Sequence, residues 1–256
     1  MSYFIFNDIN SVDLGLMITK PVIRPTWGED TVETKIPGVS RIFRKGTGIY
    51  PDIHFTINTA LMDASPNNVR TIYKTLCGSG ILLISTAPDE YLNVEIEPLV
   101  PEAVALLAAE IPIGITAHPF ANSIEPTITD ITEAIYISDA EQHAIIIENS
   151  GSVYSDPVIE YLPFIGENDN LTDFNINAKH FAVRTPAEII SAGGTGYKIV
   201  IDSEHRICYF VRPSGEKVSC TQCTYGSFPR LETGLNALLH TNHFSFGTIN
   251  VKERWL

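Results

Sequence analysis

Apolar and polar residues alternate in short segments along much of this chain. The segments DIHFTIN (52–58) and YLNVEIE (91–97) each place an apolar side chain at every second position, with polar side chains between them. A period of two is typical of β-strands that have one buried and one solvated face. The continuous apolar runs GILLIS (80–85) and HAIIIEN (143–149) predict strands in the middle of a sheet. The pattern therefore predicts a mainly β protein.

One segment has the periodicity of an amphipathic helix, and the sequence predicts a helix over residues 66–77. Ser65 suits the N-cap, Pro66 the first helical position and Gly78 the position just past the end. The side chains expected to pack on a sheet form one stripe: Val69, Ile72, Tyr73 and Leu76. The alanines of segment 101–110 favour a second short helix, although this segment lies between strand patterns.

After about residue 128, short strands follow one another with turn residues between them. The turns are predicted at 148–152, 163–170, 192–196 and 212–216. Evenly spaced short strands are typical of a β-sandwich or barrel. We place a domain boundary within 122–132, which gives an N-terminal β-domain with one helix over residues 1–127 and a C-terminal β-sandwich over residues 128–256.

The chain is acidic throughout. It has 256 residues, with 30 Asp and Glu against 17 Lys and Arg, and both halves carry the excess. A generic duplex-binding surface is not expected, because such surfaces need Lys and Arg to replace phosphate counterions. An acidic wall beside passing nucleic acid would instead repel it. The first residues lack a signal-peptide pattern and no apolar run is long enough for a membrane span, so we expect a protein made in a cytoplasm without a membrane partner.

Three of the four cysteines lie in the stretch HRICYFVRPSGEKVSCTQC (205–223). A four-ligand zinc site has a similar spacing, and its candidate ligands here are His205, Cys208, Cys220 and Cys223. The turn signal at 213–215 favours a β-hairpin, because residues three apart in a continuous strand point to opposite faces and do not converge on one ion. We interpret the cysteines as small apolar side chains in a reducing compartment and expect no metal or cofactor, with zinc as the alternative.

The remaining motifs do not form a catalytic constellation. The sequence contains neither an HExxH pair nor a G-x-S-x-G nucleophile elbow. The glycine cluster at 192–196 lacks the residue order and the following helix of a phosphate-binding loop, so it predicts a loop with positive φ angles. We therefore expect a structural protein and not an enzyme.

Several short motifs, in this order along the chain, resemble one protein family. They are FIFNDINSVDLGLMITK (4–20), GTGIYPDIHFTI (46–57), GSFPRLETGLN (226–236) and RWL (254–256). Together they resemble the distal tail proteins of long-tailed, non-contractile (siphovirus-type) bacteriophages. The resemblance covers nearly the whole chain.

The resemblance implies both an architecture and a role. It implies an N-terminal β-sandwich with a helix, six copies of which close into a ring around the tail channel, and a C-terminal galectin-like β-sandwich. Such a ring lies at the distal end of the virion tail and joins the tail tube to the tail hub or tail-associated lysin. It also offers a platform for a receptor-binding protein, and DNA only passes through its channel. The alternative function is a carbohydrate-binding module that recognises host cell-wall glycans through the C-terminal sandwich.

The motifs carrying the resemblance also imply structural roles for individual residues. In the first motif we expect Asn7, Asn10 and Gly15 to shape the turn between two strands. In the later motifs we expect residues that fix a turn and hold the last strand: Phe228, Pro229, Leu231, Gly234, Asn236, Arg254 and Trp255. For each of them, maintaining the fold is the role we predict, ahead of contact with a partner.

Overall fold

Antiparallel strands dominate the computed structural model of this protein. It describes residues 2–35, 42–97, 103–105, 108–132, 135–137, 142–163, 165, 170–241 and 244–256. The predicted mainly β fold class is confirmed. The polypeptide divides into two compact units, residues 1–124 and 125–255. The sequence analysis placed the boundary after residue 127, and the roles assigned to the two domains stay predictions.

The first unit holds eleven described strands and one helix. The strands are β1 (Phe4–Phe6), β2 (Ile9–Asn10), β3 (Leu16–Ile18), β4 (Thr31–Lys35), β5 (Ile42–Gly46), β6 (Ile53–Leu61), β7 (Gly78–Ile84), β8 (Ala87–Ile96), β9 (Ala103–Ala105), β10 (Ala108–Ala117) and β11 (Ala121–Ser123). The helix α1 spans Pro66–Thr75.

The main sheet of the first unit has the order β2-β1-β7-β8-β10-β6-β3. In β6 the burial alternates along the strand, and Ile53, Phe55 and Ile57 enter the core while His54 and Thr56 face outward. The alternation predicted for the segments at 52–58 and 91–97 is confirmed. All buried apolar side chains of this sheet join one core, so one face of the sheet packs on that core and the other faces outward.

The ladder along β10 is interrupted on one side among the described residues. One edge of β10 pairs continuously with β6, from Ala109 opposite Leu61 to Ala117 opposite Ile53. The other edge pairs with β9 up to Glu110 and with β8 only from Ile115. Pro112, which has no N–H to donate, lies in this interruption.

The predicted helix is confirmed at 66–75, and it ends two residues before the predicted end. Ser65 is the N-cap residue, but the capping region is held by Asp63, whose carboxylate accepts the Ser65 N–H at 3.1 Å and the Asn68 amide at 2.7 Å. Gly78 follows the helix with φ +80°, a conformation that glycine adopts without strain. Ile72 and Leu76 are buried in the core of the first unit.

The short helix expected over 101–110 was wrong where the structure describes this segment. Ala103–Ala105 and Ala108–Ala117 are strands that pair with each other, with Ala105 opposite Ala108. Alanine has the highest intrinsic helix propensity, but propensity is a weak determinant, and pairing with neighbouring strands overrides it. Residues 101–102 and 106–107 lie outside the described part of the chain.

The second unit holds the remaining described strands and a second helix. The strands are β12 (Thr127–Asp130), β13 (Ile135–Ile137), β14 (Gln142–Asn149), β15 (Val158–Pro163), β16 (Leu171–Ile176), β17 (Lys179–Arg184), β18 (Lys198–Asp202), β19 (Ile207–Val211), β20 (Lys217–Ser219), β21 (Thr224–Gly226), β22 (Gly234–Thr241), β23 (Phe244–Val251) and β24 (Arg254–Trp255). The helix α2 spans Ala187–Ser191, and a 3-10 turn spans Thr221–Cys223.

Two six-stranded antiparallel sheets form the predicted sandwich of the second unit. Their orders are β12-β23-β15-β18-β19-β20 and β13-β14-β22-β16-β17-β21. Tyr161 from the first sheet meets Phe174 from the second, with ring centroids 5.6 Å apart. The glycine loop after α2 adopts the predicted positive φ angles at Gly193, Gly194 and Gly196.

Candidate functional site

The first motif forms two turns and not one. Asn7 and Asp8, with φ angles of 46° and 67°, make the two-residue turn between β1 and β2. The Asn7 side-chain oxygen also accepts the Ile81 N–H at 2.9 Å, which ties this turn to β7. Asn10 and Gly15 (φ +72°) lie in the next turn, between β2 and β3, where the Asn10 side chain accepts the N–H of Val12 at 2.9 Å.

Asn236 is the centre of a buried polar cluster in the second unit. Its side-chain oxygen accepts the Glu232 N–H at 2.8 Å and the Asn177 amide at 2.6 Å. Its amide donates to the carbonyls of Glu232 at 2.8 Å and Gly234 at 2.9 Å. One side chain therefore closes the turn 232–236 and joins it to the β16–β17 hairpin turn. Asn149 reaches the same turn, because its amide donates to the Glu232 carbonyl at 3.3 Å.

Arg254 is held by carboxylates from two loops. Its guanidinium donates to Asp156 and to Glu204, each at 2.9 Å, and its side chain is only 10% exposed. Asp156 also accepts from Arg230 at 3.1 Å, and the Arg230 guanidinium stacks 3.9 Å from the Tyr154 ring centre. The sequence analysis found Arg254 but not these partners, which lie 50 and 98 residues away along the chain.

The other motif residues contribute to packing. Leu231 and Pro229 are buried, and Leu231 forms an isolated bridge with Ser155. Phe228 stacks on Phe181 with centroids 4.9 Å apart. Gly234 begins β22 with φ +84°, and Trp255 is half-buried in β24. The structural roles that the motifs imply for these residues stay predictions.

The structure brings together only part of the proposed zinc set. The predicted hairpin forms between β19 and β20, with Gly215 in its turn at φ +87°. Cys208 and Cys220 face each other with sulfurs 3.5 Å apart, while the exposed His205 pairs with Asp202 at 2.9 Å. Across the described residues, no group of three or more His, Cys, Asp or Glu side chains is placed to hold a metal ion.

The outward face of the main sheet in the first unit receives no Lys or Arg from the described strands β1–β3 and β6–β11. Glu95 and Glu110 point outward from β8 and β10, and the Glu97 carboxylate lies over Gly114, where a Cβ atom would come within 2.9 Å of it. The face is therefore acidic.

The hairpin β4–β5 forms a separate two-stranded sheet whose residues are all exposed. Val32 pairs with Lys45 and Thr34 with Phe43, so Val32 and Phe43 share one face, where they are 57% and 47% exposed. Glu33 and Arg44 form an ion pair at 2.8 Å on the opposite face. A two-stranded ribbon is marginally stable without further packing. The sequence analysis missed this hairpin.

Two hollows on the described surface have similar volumes. One beside α1 has a volume of about 340 Å³ and is lined by Asp13, Asp63 and Asn68 among others. Another, of about 350 Å³, lies at the glycine loop against Pro163 and Tyr197.

No helix of the described residues is long and apolar enough to cross a bilayer. Glycan binding stays a prediction.

Two solved phage structures are similar to this chain over nearly its whole length. The first is the SPP1 Dit (gp 19.1) protein, described as a paradigm of the hub adsorption apparatus in phages that infect Gram-positive bacteria; it has a TM-score of 0.73 and 14% identity, and the match covers 100% of both chains. The second is a chain of the phage P2 baseplate in its activated conformation with Ca, with a TM-score of 0.58 and 8% identity over 99% of this chain and 98% of that chain.

These similarities establish the fold. Neither protein-family models nor curated protein sequences match the chain. The chain thus has the fold of the SPP1 Dit protein, and the mainly β fold class that the motif resemblance implied is confirmed. The ring of six copies stays a prediction.

Proposed function

We propose that this protein is a structural adaptor of a phage tail tip, six copies of which close into a ring that joins the tail tube to the tail hub. The observation that carries the proposal is the full-length fold match to SPP1 Dit, with a TM-score of 0.73. The partners are further copies of the chain, the tail tube protein, the tail hub or tail-associated lysin, and a receptor-binding protein. The protein lies at the distal end of the virion tail.

A closed ring needs a head-to-tail interface, in which two different surfaces of each copy meet. The hairpin β4–β5 supports such an interface, because it exposes Val32 and Phe43 on one face and has no third strand among the described residues. We assign this face to packing on the neighbouring copy of the ring. Burial of both side chains would supply the packing that an isolated ribbon lacks.

The ring proposal is tested by light scattering and negative-stain microscopy of the purified protein at several concentrations. We expect particles with a central hole and the mass of six copies. The double variant Val32→Ser/Phe43→Ser should shift the population to monomers. The matched control is Ile42→Ser, which removes a 41% exposed side chain from the opposite face of the same hairpin and should leave the ring intact. Monomers alone at high concentration, with no ring in virions, would contradict the proposal.

The acidic face of the main sheet supports a channel-lining surface. A DNA channel must not bind the phosphates that pass through it, and Lys or Arg on its wall would do so by releasing counterions. Strands β1–β3 and β6–β11 supply carboxylates to this sheet, including Glu95 and Glu110, and neither Lys nor Arg. Like-charge repulsion keeps DNA centred and mobile. We therefore assign this face to the ring lumen.

The channel assignment is tested by reversing charge on the sheet. Rings of Glu95→Lys/Glu110→Lys should retain short duplex DNA in a gel-shift or filter-binding assay at low salt, and retention should fall as salt rises. The control variant Glu125→Lys/Glu148→Lys makes the same change in net charge at exposed residues of the second unit. Equal DNA retention by both variants would show that net charge, and not the position of the sheet, determines binding.

A further inference from the structure

Two thiols face each other across the β19–β20 hairpin. The Cys208 and Cys220 sulfurs are 3.5 Å apart, and the Cys220 N–H donates to the Cys208 carbonyl at 2.8 Å. The backbone therefore holds the two residues opposite each other. Both side chains are buried in the core of the second unit. Because bonded sulfurs are about 2.05 Å apart, small rotations about the side-chain bonds are enough to close the remaining gap.

Two features favour oxidation of the Cys208–Cys220 pair: the hydrogen bond between the two thiols and the position of Cys220 next to an edge strand. The contact with Cys208 lowers the pKa of Cys220, and the same contact raises the pKa of Cys208. Cys220 is thus the first to become a thiolate, the form that attacks a disulfide. It directly follows β20, a three-residue strand at the end of its sheet, and local opening of such an edge exposes the buried sulfur.

We propose that Cys208 and Cys220 form an intramolecular disulfide when the protein meets a small disulfide such as oxidised glutathione. The Cys220 thiolate attacks one sulfur of glutathione disulfide, and the other sulfur leaves as a thiolate. Cys208 then loses its proton and attacks the Cys220 sulfur, which releases the second glutathione thiolate. Two protein thiols are oxidised, and one glutathione disulfide is reduced to two thiols. The bond fastens the edge strand β20 to β19, whatever the role of the protein in a tail.

The proposal is tested by mapping the bond after oxidation. Full-length protein is incubated with oxidised glutathione, its free thiols are alkylated, and tryptic peptides are analysed by mass spectrometry. We expect peptide 207–217 linked to peptide 218–230, with a loss of about 2 Da because two hydrogens leave. Cys223 lies in the second peptide, so Cys223→Ser is the control that must keep the link. Free alkylation of both Cys208 and Cys220 after oxidation, or a link that disappears in Cys223→Ser, would overturn the proposal.

The stabilisation of the fold by the Cys208–Cys220 disulfide is tested on the same oxidised sample. The Tm of wild-type protein should be roughly 5 °C higher when oxidised than after reduction with dithiothreitol, because the bond restricts the unfolded chain. Cys208→Ser, checked for native circular dichroism, should show no redox-dependent Tm. An equal Tm in the oxidised and reduced wild type would overturn the fastening of β20.

Discussion

The Asn236 side chain holds a five-residue turn together through hydrogen bonds made away from solvent. It is fully buried, and its amide and carbonyl groups satisfy the backbone of Glu232 and Gly234 from inside the turn. A buried backbone group that loses its partner bears the cost of desolvation without compensation. Asn236 is therefore needed for the local fold, whether or not another protein binds near this turn.

Replacing Asn236 by Ala should lower the free energy of unfolding by about 2–4 kcal/mol, because several buried groups lose their partners together. Urea unfolding followed by circular dichroism measures this loss. The control Asn67→Ala removes an exposed asparagine from α1 and should change stability by less than about 0.5 kcal/mol. Equal, small effects of the two variants would show that the turn does not depend on Asn236.

Gly234→Ala separates backbone strain from steric contact. A Cβ atom added at Gly234 meets nothing within 4 Å, but the residue has φ +84°. The substitution should therefore cost about 1–2 kcal/mol through backbone strain alone. Gly28→Ala is the matched control, since it also has open space but no positive φ, and it should leave the denaturation midpoint unchanged. A neutral Gly234→Ala would contradict the assigned backbone conformation.

At the scale of elements, the sequence predicted those strands and helices whose local residue pattern determines their conformation. The segment 52–58 alternates and becomes a strand, and Pro66 and Gly78 flank a helix whose apolar stripe packs on the core of the first unit. The segment 101–110 misled because its alanines carry little information, and pairing along β10 decided its conformation. The β4–β5 hairpin was missed because its apolar side chains do not pack into the core of this chain.

The helix α2 is tied to the β19–β20 hairpin by one ion pair. The Arg212 guanidinium donates to both oxygens of Glu188, at 2.7 and 2.9 Å. These hydrogen bonds hold the pKa of Glu188 below its ordinary value. A carboxylate with a lowered folded pKa stabilises the fold above the pKa of the unfolded chain, and this contribution is lost as the pH falls through the folded pKa.

Arg212→Gln should return the pKa of Glu188 toward the usual value for glutamate of about 4.3, measured by a carboxyl NMR titration. The stability difference between this variant and the wild type should shrink as the pH is lowered through that range, because both proteins then have a protonated Glu188. Glu216→Gln removes the other carboxylate partner of Arg212 and should leave the pKa of Glu188 low. A Glu188 titration that is the same in all three proteins would disprove the coupling.

At the scale of the whole molecule, each unit has its own buried cluster. Phe4, Ile57 and Leu92 belong to the first, and Tyr161 and Phe174 to the second. We expect residues 125–256, expressed alone, to give a β-type circular dichroism spectrum and a cooperative thermal transition, because the sandwich has a complete core. A noncooperative melt with dye-binding apolar surface would show that it needs the first unit to fold.

The sequence could predict only part of the candidate sites, because the hydrogen-bond partners of their residues lie far away along the chain. The motifs singled out Asn236 and Arg254, but Asn177 and Asp156 reach them only through the pairing of distant strands and loops. The acidic face of the main sheet in the first unit could not be predicted, because which carboxylates share a face depends on strand register. From the acidic composition, only the negative sign of the surface charge could be predicted.

The interruption along β10 also affects how this sheet edge meets other chains. Unpaired strand edges recruit strands from other chains, and this is a route to aggregates that form before the correct contacts do. Among the described residues, Pro112 lies in the interruption and offers no N–H there, so a strand from another chain cannot complete a ladder along it. The proline thus lowers the tendency of two copies of the chain to aggregate through this edge.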